Sequence, residues 1–252
     1  MDMMKTGKTG KIALITGAGS GVGQAVAVAL AQEGFLVALV GRRVEKLKET
    51  ATLLGERGRV FAGDVSDLAA MAAIIKEIGL VSVLVNNAGV HNGFDKITES
   101  DPERWRQSLM TNVYAPYLLA RLCAPGMKEL GWGRIINVSS AAGFALPDGP
   151  GADYILSKYT LNFFTRQLAA ELSGTELSCC AIHPGEVKTE MWEDIKDFGG
   201  MPGWADLVES TGGDPPEKAA ELVCKIVATT ASETNGKFLW IEGGIQPPRF
   251  TW

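Results

Sequence analysis

The chain of 252 residues has little that would suit a membrane, a disulfide scaffold or a nucleic-acid partner. Apolar stretches such as Ile12–Ile15 and Phe35–Val40 are strand-sized, so no transmembrane span is expected. There are four cysteines (Cys123, Cys179, Cys180 and Cys224) and no Cys-x-x-Cys spacing. Cys179 and Cys180 would point to opposite faces of a strand. All four are therefore expected as reduced core residues of a cytoplasmic protein, with no metal site. Positive charge is also short: 24 Lys and Arg against 29 Asp and Glu give a net charge of -5, and the pI is about 5.2. A nucleic-acid binder needs the opposite balance to meet phosphates. Residues Met1–Lys11 carry lysines but no apolar segment, so no secretory signal is expected.

Hydrophobic residues make up 46% and charged residues 21%, ordinary values for a globular core and surface. β-rich apolar runs alternate with helical patterns. Strands are predicted at Ile12–Thr16, Phe35–Gly41, Arg59–Ala62, Val81–Asn86, Arg134–Ser139, Leu177–Ile182 and Lys237–Ile241. Helices are predicted at Gly21–Glu33, Val44–Glu56, Leu68–Ile78, Tyr154–Leu172 and Glu217–Thr229. A long one spans Pro102–Leu130, with Pro116 and Pro125 as points of breakage or bending. This alternation predicts an α/β fold with a seven-stranded parallel sheet and helices on both faces, within one domain over residues 1–252. The irregular stretch Glu186–Pro216 is too long for an ordinary connection and is expected to be a functional lid.

Three constellations carry chemistry. The first strand runs into Thr16-Gly17-Ala18-Gly19-Ser20-Gly21-Val22-Gly23 and then a helix. Glycines let the backbone approach a pyrophosphate, and the helix N-terminus offers it free N–H groups. The alternative is a plain tight turn. The second strand ends Val40-Gly41-Arg42-Arg43, with no acid between Glu33 and Glu45. NAD-binding folds usually place Asp or Glu there for the ribose hydroxyl. Arg42 and Arg43 suit a 2′-phosphate instead, so NADP is expected over NAD. The alternative is two solvated arginines. Tyr154 and Lys158 are spaced to share one helix face. An ammonium beside a phenol favours the phenolate, so Lys158 is expected to lower the tyrosine's pKa and make a general acid/base pair. Taken alone, such a pair is usually just helix surface.

Thr16–Gly23, Asn86-Asn87-Ala88-Gly89, Ser140, Tyr154 with Lys158, and Pro184-Gly185-Glu186-Val187-Lys188-Thr189 occur in the order of the short-chain dehydrogenase/reductase family. The chain resembles that family from Lys11 to Gly244. The resemblance implies a doubly wound Rossmann-type fold and a carbonyl–alcohol oxidoreductase. Gly17, Ser20, Gly21, Val22 and Gly23 would hold the cofactor phosphates. Asp64 and Val65 would contact the adenine, and Asn87, Ala88 and Gly89 would border the adenosine. Asn112, in Thr111-Asn112-Val113, would hold a proton-relay water. Ser140 would hydrogen-bond the substrate oxygen. Tyr154 would transfer the proton, and Lys158 would bind the nicotinamide ribose and tune Tyr154. Pro184, Gly185, Val187 and Thr189 would cap the nicotinamide. Dimers or tetramers are implied.

Three features depart from the family pattern. The third helix looks trimmed, because Asp64 to Asn86 is short. Ser82 stands where the family often has Asp. The loop from Ser140 to Tyr154 is one residue longer than the family pattern, and Ser140 is assigned over Ser139 as the second serine of Val-Ser-Ser. His91 is expected as a loop histidine, His183 as structural, and Asp148 as a minor candidate for the pocket. Trp192, Phe198, Met201 and Trp204 would either cover an apolar substrate or hold the lid down. Phe250 and Trp252 would dock on a neighbouring subunit or on their own. The leading expectation is an NADP-dependent enzyme acting on a small free ketone, aldehyde or alcohol. A 3-oxoacyl thioester reductase ranks lower, since Glu186–Asp214 carries eight acids against Lys188 and Lys196. A dinucleotide-binding regulator would have no need of Tyr154 and Lys158.

Overall fold

The computed structural model describes residues 11–144, 151–197, 202–246 and 248. Seven parallel strands form its sheet: β1 (Ile12–Thr16), β2 (Leu36–Gly41), β3 (Gly58–Ala62), β4 (Val83–Asn86), β5 (Gly133–Val138), β6 (Leu177–His183) and β7 (Phe238–Trp240). Their order is β3-β2-β1-β4-β5-β6-β7. Alternate residues of β1 face opposite layers. Ala13 and Ile15 enter one buried cluster with Val26, Leu30, Val223 and Ile226. Ile12 and Leu14 enter another with Met71, Ile75, Leu119 and Met127. The strands are apolar throughout because helices cover both faces. The chain winds outward from β1 in one direction and from β4 in the other, so a crevice opens at the carboxyl ends of these two neighbours.

Local chemistry explains where the helices begin and end. The helices are α1 (Gly21–Gln32), α2 (Val44–Leu54), α3 (Leu68–Ile78), α4 (Pro102–Leu109), α5 (Ala115–Leu130), α6 (Ala152–Glu171), α7 (Glu190–Asp197), α8 (Pro202–Thr211), α9 (Pro216–Ala228) and α10 (Ala231–Thr234). Asp67 caps α3 by accepting from the N–H groups of Ala69 and Ala70 at 3.1 and 3.0 Å. Asp101 caps α4 by accepting from Glu103 N at 2.8 Å, with Pro102 at the first turn. Gly131, at φ 66°, ends α5 in the left-handed conformation.

The expected long helix from Pro102 to Leu130 is present, but its middle, Met110–Tyr114, widens into a π-turn. Pro116 neither breaks nor ends it. Its ring sits in the first turn of α5, and the wider turn just before it accommodates the missing N–H. The segment expected as irregular holds two helices, α7 and α8. Ser82 closes the sheet where an aspartate was the family expectation: its Oγ donates to Ile12 O at 3.0 Å.

Candidate active site

The glycine loop joins β1 to α1 against the end of β4. Gly17 has φ 64°, which a side chain rarely adopts. A Cβ on Gly23 would lie 2.4 Å from Gly17 O and 2.5 Å from Asn87 Nδ2. Thr16 ties the two strand ends together: its Oγ1 accepts from the N–H groups of Asn87 and Ala88 at 3.0 and 2.9 Å. Asn87 Nδ2 in turn donates to Thr16 O at 2.9 Å. Ser20, at the N-cap of α1, makes no side-chain cap, and the first turn holds no acid. The helix therefore presents uncapped N–H groups and an uncompensated positive dipole end, which fits a phosphate.

The two arginines after β2 stand at the same crevice. Arg43 Nη2 donates to Ser20 Oγ at 2.8 Å, and its Nη1 pairs with Glu190 of α7. Arg42 Nη1 lies 3.7 Å from Asp64 Oδ2. Asp64 Oδ1 accepts from Ser66 N and Oγ at 2.9 and 2.8 Å, which fixes the turn after β3.

At the other end, β5 delivers two serines with different fates. Ser139 is buried and donates to Asn162 Oδ1 at 2.6 Å, so it is spent inside the fold. Ser140 stands in the cleft wall and is hydrogen-bonded to the side chain of Tyr154. Both serines reach the cleft wall, but only Ser139 has its hydroxyl engaged with Asn162. Lys158 lies one turn after Tyr154 on α6, 5.5 Å from the tyrosine ring centre. It is buried and donates to Val138 O at 2.8 Å. Burial lowers its pKa to about 8.

The expected lowering of the Tyr154 pKa does not occur. The protein crowded around the phenol pushes it up to about 12; the Ser140 hydrogen bond opposes that rise, and the charge of Glu186 adds to it. Desolvation penalises the phenolate more than its polar neighbours favour it, so Tyr154 holds its proton at neutral pH.

Asn112 lies in the π-turn and is buried. Its Oδ1 accepts from Val90 N at 2.9 Å, and its Nδ2 donates to Val90 O at 2.8 Å and Ser157 Oγ at 2.9 Å. The side chain is thus consumed in holding the loop after β4 against α6. Its main-chain carbonyl lacks the usual α-helical donor, because the residue four places on is Pro116. Gly89 links the two ends: a Cβ there would be 3.5 Å from Asn112 Oδ1 and 3.7 Å from Lys158 Nζ.

One cleft of about 1310 Å³ connects the glycine loop, the arginines, Ser140, Tyr154 and Lys158. Val22, Val65, Ala88, Pro184, Gly185, Val187 and Thr189 stand in its wall with the other residues named from the motifs. Two expected residues do not line it. Gly23 is a spacer that lets α1 approach β1 and β4, and Asn112 lies behind the wall.

The cleft also holds residues to which sequence reasoning gave no role or a lesser one. His91 stacks 4.4 Å from Phe94 and 5.5 Å from the Tyr154 ring, and burial lowers its pKa. Glu186 is buried, and the Trp204 indole of α8 donates to it. A carboxylate inside a proline–glycine motif at the end of β6 was the available signal. Trp192 is buried between Lys188 and Lys196, whose amines lie 4.8 and 5.1 Å from its ring centre. Both lysines pair with Glu209, at 3.4 and 3.0 Å, which ties α7 to α8. Asp148, Phe198, Met201, Phe250 and Trp252 lie outside the described residues.

A parallel sheet with a phosphate-suited glycine turn, opening into a cleft that holds Ser, Tyr and Lys, defines a nucleotide-dependent α/β enzyme. A model of the short chain dehydrogenase family matches residues 11–198. The chain belongs to the short-chain dehydrogenase/reductase family of NAD(P)-dependent oxidoreductases. It is 34% identical over 249 residues to a 3-oxoacyl-acyl-carrier-protein reductase, FabG, of Pseudomonas aeruginosa, covering 94% of this chain and 97% of that one. It is 32% identical over 243 residues to a galactitol 2-dehydrogenase (L-tagatose-forming) of Cereibacter sphaeroides, covering 93% and 94%. L-sorbose reductase from Gluconobacter frateurii, solved with NADPH and L-sorbose, superimposes with a TM-score of 0.81 at 31% identity, over 99% of this chain and all of that one. Among the described residues no helix is long and apolar enough to cross a membrane.

Proposed function

We propose that this chain is an NADP-dependent reductase of free ketones or aldehydes, working reversibly on the corresponding alcohols. The observation that carries this is the protonated Tyr154 hydrogen-bonded to Ser140, with Lys158 one turn away in the same cleft. The nicotinamide, when bound, exchanges hydride with the substrate carbon. Ser140 orients the substrate oxygen. Tyr154 gives that oxygen its proton, and a phenol held neutral by burial is the right form for a donor. Lys158, anchored on Val138 O, holds the nicotinamide ribose and places positive charge beside Tyr154. Asn112 positions the loop after β4, and its main-chain carbonyl offers a relay water an acceptor. Uncapped N–H groups of α1 take the pyrophosphate, with Gly17, Ser20 and Gly21 close against it. Asp64 and Val65 flank the adenine, and Arg42 and Arg43 read the 2′-phosphate. Residues 186–216 act as a lid.

Reduction of a 3-oxoacyl thioester, which the likeness to FabG favours, ranks second. Glu186 and Asp194 stand in the cleft wall, Asp194 near enough to His91 for its charge to be felt there, and they would repel an anionic carrier. A reducing compartment is consistent with four free cysteines, and we place the protein in the cytoplasm. Tyr114, Tyr117 and Phe163 are 38%, 42% and 67% exposed on the π-turn, α5 and α6. Such a face supports a homodimer or tetramer, to be checked by light scattering on Phe163→Glu. The test of the activity is NADPH consumption over a carbonyl panel. Tyr154→Phe is expected to lose about 10²–10⁴-fold in kcat while still binding NADPH. Unaltered turnover in that variant refutes the assignment.

A further inference from the structure

The segment 186–216 is pinned at its base and tied within itself. At the base, Glu186 N donates to Asp214 Oδ2 at 3.0 Å and Asp214 N donates to Glu186 O at 2.9 Å. Gly185, Gly212 and Gly213 flank that pinch at φ 89°, 81° and 78°, a region that favours glycine. Lys188 and Lys196 pair with Glu209, and Trp204 donates to Glu186, so α7 and α8 form one unit. Among the described hydrogen bonds and ion pairs, Glu190 with Arg43 is the one contact that joins α7 or α8 to residues outside this segment.

Arg43 also stands at the phosphate loop. Its Nη2 donates to Ser20 Oγ at 2.8 Å. Gly21, next in that loop, faces the lid just before Glu190: a Cβ there would lie 3.0 Å from Thr189 Cγ2. The side chains of Arg43 and Glu190 are 51% and 61% exposed. An exposed ion pair strengthens an association by at most about fivefold, whereas one hydrogen bond to a charged group gives about tenfold or more. A phosphate on Arg43 therefore outcompetes the Glu190 carboxylate for the guanidinium, and like charge repels that carboxylate from the same place.

Resting on the NADP reading above, we infer that Glu190 is a latch: it holds α7 and α8 down while Arg43 is free of phosphate and releases them when Arg43 binds the 2′-phosphate. The phosphate is thereby read twice, once for affinity and once as the signal that frees the lid. Trp192, Asp194, Ile195 and Trp204 of the released unit line the cleft, so the substrate end responds to a group bound at the other end. A dinucleotide without the phosphate leaves the latch shut.

Amide hydrogen exchange over Glu190–Asp197 tests this in the whole protein, alone and saturated with NADP or NAD, which differ only in the 2′-phosphate. Exchange is expected to be about two- to fivefold faster with NADP than with NAD, the span of an exposed ion pair. Glu190→Gln should exchange at the faster rate in all three states. Equal exchange with the two cofactors overturns the inference. So does slower exchange with NADP, which would make the pair a clasp over the bound cofactor, and so does a Glu190→Gln variant that still responds to the 2′-phosphate. Fluorescence titration of the same samples keeps the underlying reading separate. Tighter binding of NADP than of NAD with equal exchange removes the latch alone. Equal affinities with equal exchange remove the NADP reading and the latch with it.

Discussion

The two ends of the cleft are built by different means. The end that meets α1 is made of backbone and short side chains of Thr16–Gly23, tied to Asn87 by hydrogen bonds of 3.0 and 2.9 Å, with no room for a Cβ on Gly23. The end under α7 and α8 is made of large side chains from segments far apart: His91 after β4, Ser140 after β5, Glu186 after β6 and Trp204 on α8. The first end tolerates almost no added volume. The second can change its occupants without disturbing the sheet. On the proposed reading, cofactor binding and substrate choice are thereby separable within one crevice.

Lys158 belongs to both ends, so its loss should give the largest effect. Lys158→Ala removes the donor to Val138 O and the charge beside Tyr154. A fall of about 10³-fold in kcat/KM together with weaker NADPH binding is expected from steady-state kinetics and fluorescence titration. Normal cofactor binding would confine Lys158 to the substrate end.

Gly23→Val tests the rigidity of the first end. Its Cβ would fall 2.4 Å from Gly17 O, within a contact of backbone against backbone. Overpacking of this kind typically costs about 1–3 kcal/mol. A lower midpoint in urea and weaker NADPH binding are expected, whereas a conservative change at Trp204 should leave both untouched. Equal effects from the two variants would erase the distinction between the ends.

Arg42→Ala with Arg43→Ala should raise KM for NADPH by about 10–100-fold and that for NADH far less, the size of one or two hydrogen bonds to a charged phosphate. Glu190→Gln, which frees Arg43 from its pair on α7, should move the preference the other way, towards NADPH. Equal changes for both cofactors would separate the arginines from 2′-phosphate recognition.

The smallest effect is one of pH. Alcohol oxidation needs the phenolate, and the Tyr154 pKa is raised to about 12, so the oxidation rate should climb with pH through the alkaline range. Reduction draws on the neutral phenol, which is abundant below that value. It should stay level until Lys158 loses its proton near 8 and then decline. Rate profiles in both directions check this. An oxidation rate that rises nowhere in the alkaline range would mean that Tyr154 does not transfer the proton.

The sheet, the glycine turn and the tyrosine–lysine pair were legible because each depends on near neighbours in the chain. Strand periodicity marks β1–β7 to within a residue or two at most ends. A positive φ demands glycine at position 17 whatever lies beyond, and a spacing of four places Tyr154 and Lys158 on one face of α6. The helices within 186–216 were missed because Gly, Pro and Asp mask short amphipathic turns that form only against the body of the protein. The outcome at Tyr154 was misread because a spacing reports which charge is near but not how much water is excluded.

Sequence by itself therefore determined the family, the alternation of strands and helices and the spacing of Tyr154 and Lys158, since all of these are local patterns. Tertiary structure alone decided that Ser139 spends its hydroxyl on Asn162, that Asn112 spends its amide on Val90 and Ser157, that Tyr154 keeps its proton, and that Glu186 is buried in the cleft wall. The physical reason is common to all four. Burial, desolvation and hydrogen-bond partnership are set by what arrives from distant parts of the chain, and no local pattern records them.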